Sequence, residues 1–146
     1  MYKTNQYLLE KNIEEPYTTY VASLFIKNDG SILISGMGDS RIYGISNQYI
    51  NQHSKDDKSM TSNALTKCLG AENLTKEDFT EKLLSAPEDR ILLCSDGFYH
   101  FLEGNKSTFF ELLNFSNLKN IKNKIVKEVK NKNSDDATYI LINLHV

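Results

Sequence analysis

Apolar and polar positions between residues 18 and 45 follow a β-like rather than a helical rhythm. Thr18 to Lys27 is rich in β-branched and aromatic residues, Asn28-Asp29-Gly30 is a turn signal, and Ser31-Ile-Leu-Ile-Ser35 follows, which together predict a β-hairpin. Gly36 and Gly38 interrupt the second strand and predict a bulge or a close backbone approach, after which Arg41 to Ile45 resumes the β pattern. A further strand is expected over Gln48 to Asn51. Upstream, Tyr2, Leu8, Leu9 and Ile13 recur loosely at helical spacing until Glu14-Glu15-Pro16; a short helix or a frayed tail fits.

Downstream, His53 to Ser59 reads as a polar loop and Met60 to Leu69 as a helix closed by Gly70. Thr75 with Asp78 three positions on resembles a capping box, while Phe79 to Leu84 fits either helix or strand. Pro87-Glu-Asp89 turns the chain into Arg90 to Cys94, an apolar strand short enough to be buried on both faces. Helices are expected at about Lys106 to Leu113 and at Leu118 to Lys130. In the second, Leu118, Ile121, Ile125, Val126 and Val129 recur at helical spacing. Ala137 to Leu144 reads as a strand, preceded by the polar turn Asn131 to Asp136.

At 146 residues the chain fits one domain, with 40% apolar residues, 25% charged residues and a net charge of −2. The balanced charge points away from nucleic acid and anionic membranes, and the lysines of the 118–130 helix are its solvated face. Cys68 and Cys94 form no CxxC pair and read as reduced thiols. The first residues lack the basic and apolar regions of a secretory signal. No run approaches the roughly 20 apolar residues of a spanning helix. The expectation is a cytoplasmic protein.

Three stretches join a β-like run to an aspartate: Gly36 to Tyr43 around Asp39, Arg90 to Gly97 around Asp96, and Ser134 to Leu141 around Asp135. Carboxylates at strand ends are a common way to gather Mg²⁺ or Mn²⁺, hard cations that prefer oxygen donors. Gly97 after Asp96 is expected to let the backbone turn sharply at such an ion. Each aspartate also has a bland reading: Asp39 as a turn residue, Asp96 as a helix cap, Asp135 as an Asx-turn residue.

Taken in order, Gly-Asp-Ser-Arg-Ile-Tyr (38–43), Asn63 to Gly70, Asp89 to Gly97 and Asp135 to Leu141 resemble the later motifs of the protein phosphatase 2C family, the metal-dependent serine/threonine phosphatases. Thr18-Thr19 resembles the family's threonine pair before the first strand. The resemblance covers about residues 17 to 145. It implies an α+β fold, an antiparallel β-sandwich flanked by helices and truncated at the N-terminus. It also implies a Mg²⁺ or Mn²⁺ site at one end of the sandwich, where activated water attacks the phosphorus of phosphoserine or phosphothreonine. Asp96 and Asp135, with Gly97 beside them, resemble the metal positions, and Asp39 that of a peripheral metal. Arg41 reads as structural, because the family's phosphate-binding arginine belongs to an earlier segment.

Two family features are absent from these residues. One is the early segment carrying the Asp-Gly motif that bridges the metals and a catalytic-acid histidine; Asp29-Gly30 sits in the hairpin turn, and His53, His100 and His145 read as surface residues. The other is the longer flap between Ile50 and Asn63. Stripped of early strands, the sandwich is expected to expose apolar faces and edges that invite a second copy or a complementing chain. The expected function is therefore a phosphatase domain acting on a phosphoprotein and completed by a partner. The alternative is a non-catalytic pseudophosphatase, a binding or regulatory module. An aspartate-nucleophile phosphohydrolase fits less well, since Phe98 stands where that class needs a second aspartate.

Overall fold

The computed structural model describes residues 1–11, 13–26, 28–62, 64–84, 89–114, 117–130, 132 and 135–144. Its layers follow from two central strands, β3 (Arg41–Ile45) and β6 (Arg90–Cys94), paired antiparallel with Arg41 opposite Cys94. Ile42, Ile91 and Leu93 enter one apolar cluster with Ile32, Ile34 and Leu84. Tyr43, Ile45, Leu92 and Cys94 enter a second with Phe98, Leu102, Phe109 and Ile121. Successive side chains of a strand face opposite ways, so both strands are covered on both faces. Every residue of β6 is buried, as its unbroken apolar run predicts.

The sheet holding these strands runs β4-β3-β6-β7, with β4 (Ile50–Gln52) and β7 (Tyr139–Asn143) at its edges. A second antiparallel sheet runs β1-β2-β5, formed by β1 (Tyr20–Phe25), β2 (Ile32–Met37) and β5 (Glu81–Leu84). The sheets close on the first cluster as a sandwich. Helices α2 (Asp96–Gly104), α3 (Lys106–Leu113) and α4 (Leu118–Val129) cover the other face of the four-stranded sheet across the second cluster. This is the expected α+β sandwich flanked by helices. Among the described residues no helix is long and apolar enough to cross a membrane.

The N-terminal residues form helix α1 (Tyr2–Glu10), which the weak apolar spacing left undecided. Its anchor is polar: Asn5, 1% exposed, donates from Nδ2 to the Ala71 carbonyl (3.1 Å) and accepts from the Gly70 amide (2.6 Å). Gly70 has φ +92°, and a Cβ there would meet the Pro16 carbonyl oxygen at 2.4 Å. Replacing Asn5 with leucine strands both backbone groups, so the expected loss is about 1–3 kcal/mol of unfolding free energy, read from the urea midpoint.

One expectation is corrected and two open readings are resolved. Among the described residues of Met60 to Leu69 there is no helix. Instead Lys58 bridges Leu65 and Thr18 bridges Leu69, with Thr18 and Leu69 exchanging backbone hydrogen bonds of 3.1 and 2.9 Å. Met60 is fully exposed and Leu65 is 38% exposed, so Leu69 alone of the segment's large aliphatic side chains is buried, and the backbone groups pair outside the segment. The ambiguous Phe79 to Leu84 resolves into β5, because pairing Leu84 with Ile32 completes the sandwich core. Helix α2 lies where the sequence suggests only a cap at Asp96. The capping box does form: the Asp78 carboxylate accepts from the Thr75 amide (2.8 Å) and hydroxyl (3.0 Å). Lys67, 2.6 Å away, and those bonds hold the Asp78 carboxyl down at about 2. Asn63, Pro87, Ser134 and His145 lie outside the described residues.

Both cysteines are free thiols. Burial pushes the Cys94 thiol up to about 12 and raises Cys68 as well. At pH 8 a thiol reagent should label half-buried Cys68 slowly and Cys94 only after unfolding. The fold favours the neutral Cys94 thiol, so its contribution is complete below the ordinary thiol pKa of about 8.5 and is lost as pH rises from there towards 12. Unfolding midpoints measured along that range should fall.

Candidate metal centre

Sheet register carries the three aspartates to one end of the four-stranded sheet. Cys94, the last residue of β6, lies opposite Arg41, the first of β3, and opposite Tyr139, the first of β7. Asp39 precedes β3, Asp96 follows β6 and Asp135 precedes β7, so all three leave the four-stranded sheet at the same end. Antiparallel pairing does this without any help from their separation in sequence.

The Asp96 and Asp135 segments are stitched together. The Ser95 amide donates to the Thr138 carbonyl (3.0 Å), and the Thr138 amide donates back to Ser95 Oγ (3.0 Å). Ser95 Oγ also donates to the Asp136 carbonyl (3.3 Å). Gly97 is buried in the first turn of α2, and a Cβ on it would stand 2.5 Å from the Asp136 carbonyl oxygen and 3.3 Å from the Asp135 carbonyl carbon. The expected sharp turn at Gly97 is not what requires glycine. Its backbone is helical, and the requirement is the passage of the 135–136 backbone over the start of α2. The Gly97 amide donates to Asp96 Oδ1 (2.9 Å) and the Asp136 amide to Asp135 Oδ1 (2.7 Å), so each carboxylate is oriented by the residue after it.

Around Asp39 the chain is held by residues 56–58, which the sequence shows only as polar loop. Asp56 accepts from Arg41 Nη2 (2.7 Å) and Nε (3.0 and 3.1 Å). Asp57 exchanges two bonds with Gly38: its amide donates to the Gly38 carbonyl (2.8 Å) and its Oδ2 accepts from the Gly38 amide (3.1 Å). Lys58 Nζ lies 2.8 Å from Asp39 Oδ2. Gly38 has φ +99°, and a Cβ there would strike the Thr19 side chain at 2.4 Å, while Thr19 Oγ1 lies 2.9 Å from Ser40 Oγ. Thr19 thus braces the same turn. The matching signs of Asp39-Ser-Arg41 and Asp56-Asp-Lys58 are visible in the sequence, but their antiparallel pairing is a tertiary result.

Arg41 is fully engaged. Its Nη1 donates to Tyr43 OH (3.0 Å), its guanidinium carbon sits 3.6 Å from the Tyr99 ring centroid, and Tyr43 OH donates to Glu103 Oε1 (3.1 Å). Burial opposes the Arg41 charge, yet the bonds to Asp56 and Tyr43 outweigh it and keep its pKa above the ordinary value. Burial likewise raises the Tyr43 phenol against the pull of Arg41. Arg41 ties β3 to the 56–58 segment and α2, as its structural reading expects. His53 lines a cleft of about 330 Å³ with Lys55, Lys67 and Lys82, and none of the three aspartates lines it. His100 is exposed, its ring edge against Tyr99 at 4.6 Å.

Carboxylate oxygens at Asp39, Asp96 and Asp135 fit Mg²⁺ or Mn²⁺ in kind. They fall short in number: among the described residues no three His, Cys, Asp or Glu side chains converge closely enough to hold an ion.

Comparison with known proteins bears on the fold and the family. The chain is 27% identical over 150 residues to a Mycoplasma genitalium protein described as "Putative protein phosphatase", covering 87% of this chain and 55% of that one. The structure superposes on a bacterial serine phosphatase with a TM-score of 0.75 and 22% identity, covering 97% of this chain and 66% of the other. It also superposes on the serine/threonine phosphatase Stp1 from Staphylococcus aureus, with a TM-score of 0.73, 24% identity, and 97% and 63% coverage. A third match is the catalytic domain of the serine/threonine protein phosphatase PstP, solved with 2 manganese ions, at TM-score 0.73, 21% identity, and 94% and 64% coverage. The chain thus spans between about half and two thirds of these relatives. Residues 1–145 match the Stage II sporulation protein E (SpoIIE) family, and with its phosphatase 2C-like fold the chain belongs to that family.

Proposed function

We propose that this chain carries part of the active site of a metal-dependent phosphatase acting on phosphoserine or phosphothreonine in proteins. The observation behind it is the sheet register that sends Asp39, Asp96 and Asp135 out at one end, beside the Gly97 crossing. Asp96 and Asp135 would hold Mg²⁺ or Mn²⁺ as the principal carboxylates, next to Gly97, and Asp39 would serve a peripheral ion. When bound, such ions acidify water and offset charge on phosphoryl oxygens. The chain's own contribution is to orient those carboxylates through the Gly97 and Asp136 amides and to brace the Asp39 turn through Asp57 and Thr19.

In this reading the carboxylate that joins the metals comes from a complementing segment corresponding to the unmatched third to half of the relatives. The same segment would cover the outer face of the small sheet, where Leu24 (62% exposed) and Leu83 (55%) flank Leu33. Free thiols and the absence of a spanning helix among the described residues suit a cytoplasmic setting.

Mn²⁺-dependent hydrolysis of p-nitrophenyl phosphate, with Asp96→Ala as control, tests the reading. Turnover that disappears in Asp96→Ala supports it, and turnover indifferent to Asp96 removes the assignment. A second reading, a non-catalytic regulatory module, draws on the shortfall of converging ligands. It predicts Mn²⁺ binding with no turnover even when the complementing segment is supplied.

A further inference from the structure

We propose that the outer face of helix α4 is a docking surface for an acidic polypeptide segment carrying one large apolar side chain: carboxylates of the segment meet the lysines of the helix, and the apolar side chain enters a slot beside Val126. The near-neutral charge of the whole chain hides a local surplus. Residues 118–132 hold six of the chain's 17 lysines and arginines and one of its 19 acidic residues, five positive charges in excess, so the rest of the chain carries seven negative charges in excess. At about 100° per residue, Lys119, Lys122, Lys127 and Lys130 fall within one arc of about 140°, and Glu128 lies outside it. All four lysines are exposed, and none of them is in an ion pair among the described residues, whereas Glu128 is taken by Lys132 at 3.1 Å. Lys119 with Lys122, and Lys127 with Lys130, are like-charged neighbours three residues apart, so each pair repels, and a bound carboxylate relieves that repulsion.

The arc is not purely charged. Val126 lies within it at 49% exposed, and beside it opens an apolar slot of about 220 Å³ lined by Phe98, Ile125, Val126, Val129, Ala137 and Tyr139, with Lys130 as its one charged lining residue. Exposed lysine–carboxylate contacts are individually weak, and an apolar side chain seated in the slot adds affinity that charge alone does not supply. Lys119 and Lys130 stand about 16 Å apart along the axis, which roughly five residues of extended chain cover. The observations favour a polypeptide over a membrane or a nucleic acid. A membrane-bound amphipathic helix gives its apolar stripe to lipid, whereas Ile121 and Ile125 are 1% and 2% exposed and already belong to the cluster under the helices. Nucleic-acid contacts draw on arginines and aromatic rings, and Leu118–Val129 contains neither. The proposal uses none of the three aspartates and stands apart from the metal-site reading.

The test is fluorescence anisotropy at low ionic strength with a labelled peptide, Asp-Glu-Asp-Phe-Glu-Asp-Glu, and the same peptide with serine in place of phenylalanine. Wild type should bind the phenylalanine peptide about fivefold more tightly than the serine peptide. Lys119→Gln, Lys127→Gln and Lys130→Gln combined should weaken binding about tenfold, while the same charge removed elsewhere, by Lys3→Gln, Lys55→Gln and Lys76→Gln, should change it by less than about twofold. All six lysines are exposed, and a native circular dichroism spectrum checks the fold of each variant. No binding by wild type, equal losses in the two triple variants, or equal binding of the two peptides overturns the proposal. Phosphatidylserine vesicles and single-stranded oligothymidylate are the competing probes. Tighter binding of either one than of the phenylalanine peptide, lost in the α4 triple variant, gives this face to that class of partner and overturns the proposal of a polypeptide.

Discussion

Replacing Gly97 with alanine should destabilise the protein and, on the proposed metal-site reading, weaken Mn²⁺ binding, although alanine is the better helix former. In an unconstrained helix the exchange is worth up to about 1 kcal/mol in favour of alanine. Here the added Cβ would lie 2.5 Å from the Asp136 carbonyl oxygen and 3.0 Å from its carbon, both rigid backbone atoms. One of the two segments must retreat. The expected net cost is about 1–3 kcal/mol, the range for overpacking a site that cannot relax. Because the retreating backbone is that of Asp135 and Asp136, Mn²⁺ affinity should fall in the same variant. Gly104 is the internal control: it ends the same helix, a Cβ there meets nothing within 4 Å, and Gly104→Ala should be neutral or stabilising. Urea midpoints for the pair, with Mn²⁺ titrations beside them, decide the matter. Equal behaviour of the two alanines would refute the account of Gly97.

Arg41→Met is the second large effect, expected to cost about 2–3 kcal/mol. A buried pair that loses one partner costs roughly 3–5 kcal/mol, and the residual exposure of Arg41 (19%) and Asp56 (21%) lowers that figure. The substitution leaves the Asp56 carboxylate with only the Gln52 amide donor described besides Arg41 (3.0 Å), uncovers the Tyr99 face and removes the donor to Tyr43. Arg41→Lys should recover less than half of the loss, because an ammonium cannot make the forked contact to Asp56, stack on Tyr99 and reach Tyr43 together. Chemical denaturation of the two variants measures both numbers. Loss of Arg41 also loosens the 56–58 segment, so the Lys58–Asp39 contact should weaken with it.

The parts of this fold that could be read in advance are those where one local period dominates. Arg90 to Cys94 has no polar position to expose, and it became the central strand of the four-stranded sheet. The Asn28-Asp29-Gly30 turn placed the first hairpin, with Gly30 at φ +71°. Ile121 and Ile125 did bury one face of α4, although Leu118 and Val126 on the same stripe remain 43% and 49% exposed. Residues 60–69 misled because leucines at helical spacing carry no information about which backbone partners are nearby, and Thr18 and Lys58 were nearer. Of helix α2 the sequence suggested only a cap at Asp96, since its extent depends on Phe98, Tyr99 and Leu102 having a sheet to pack on.

For the candidate site, the sequence by itself determined the donor types proposed for it: three aspartates, each next to a β run, in an order that resembles a phosphatase family. Residue type decides affinity for a hard cation, and residue type is written in the chain. Only the tertiary structure decided proximity. Antiparallel register put the ends of β6, β3 and β7 together, Gly97 let the 135–136 backbone cross α2, and residues 56–58 brought a lysine to Asp39. These are contacts between segments far apart along the chain, set by which faces bury together, and no local period encodes them.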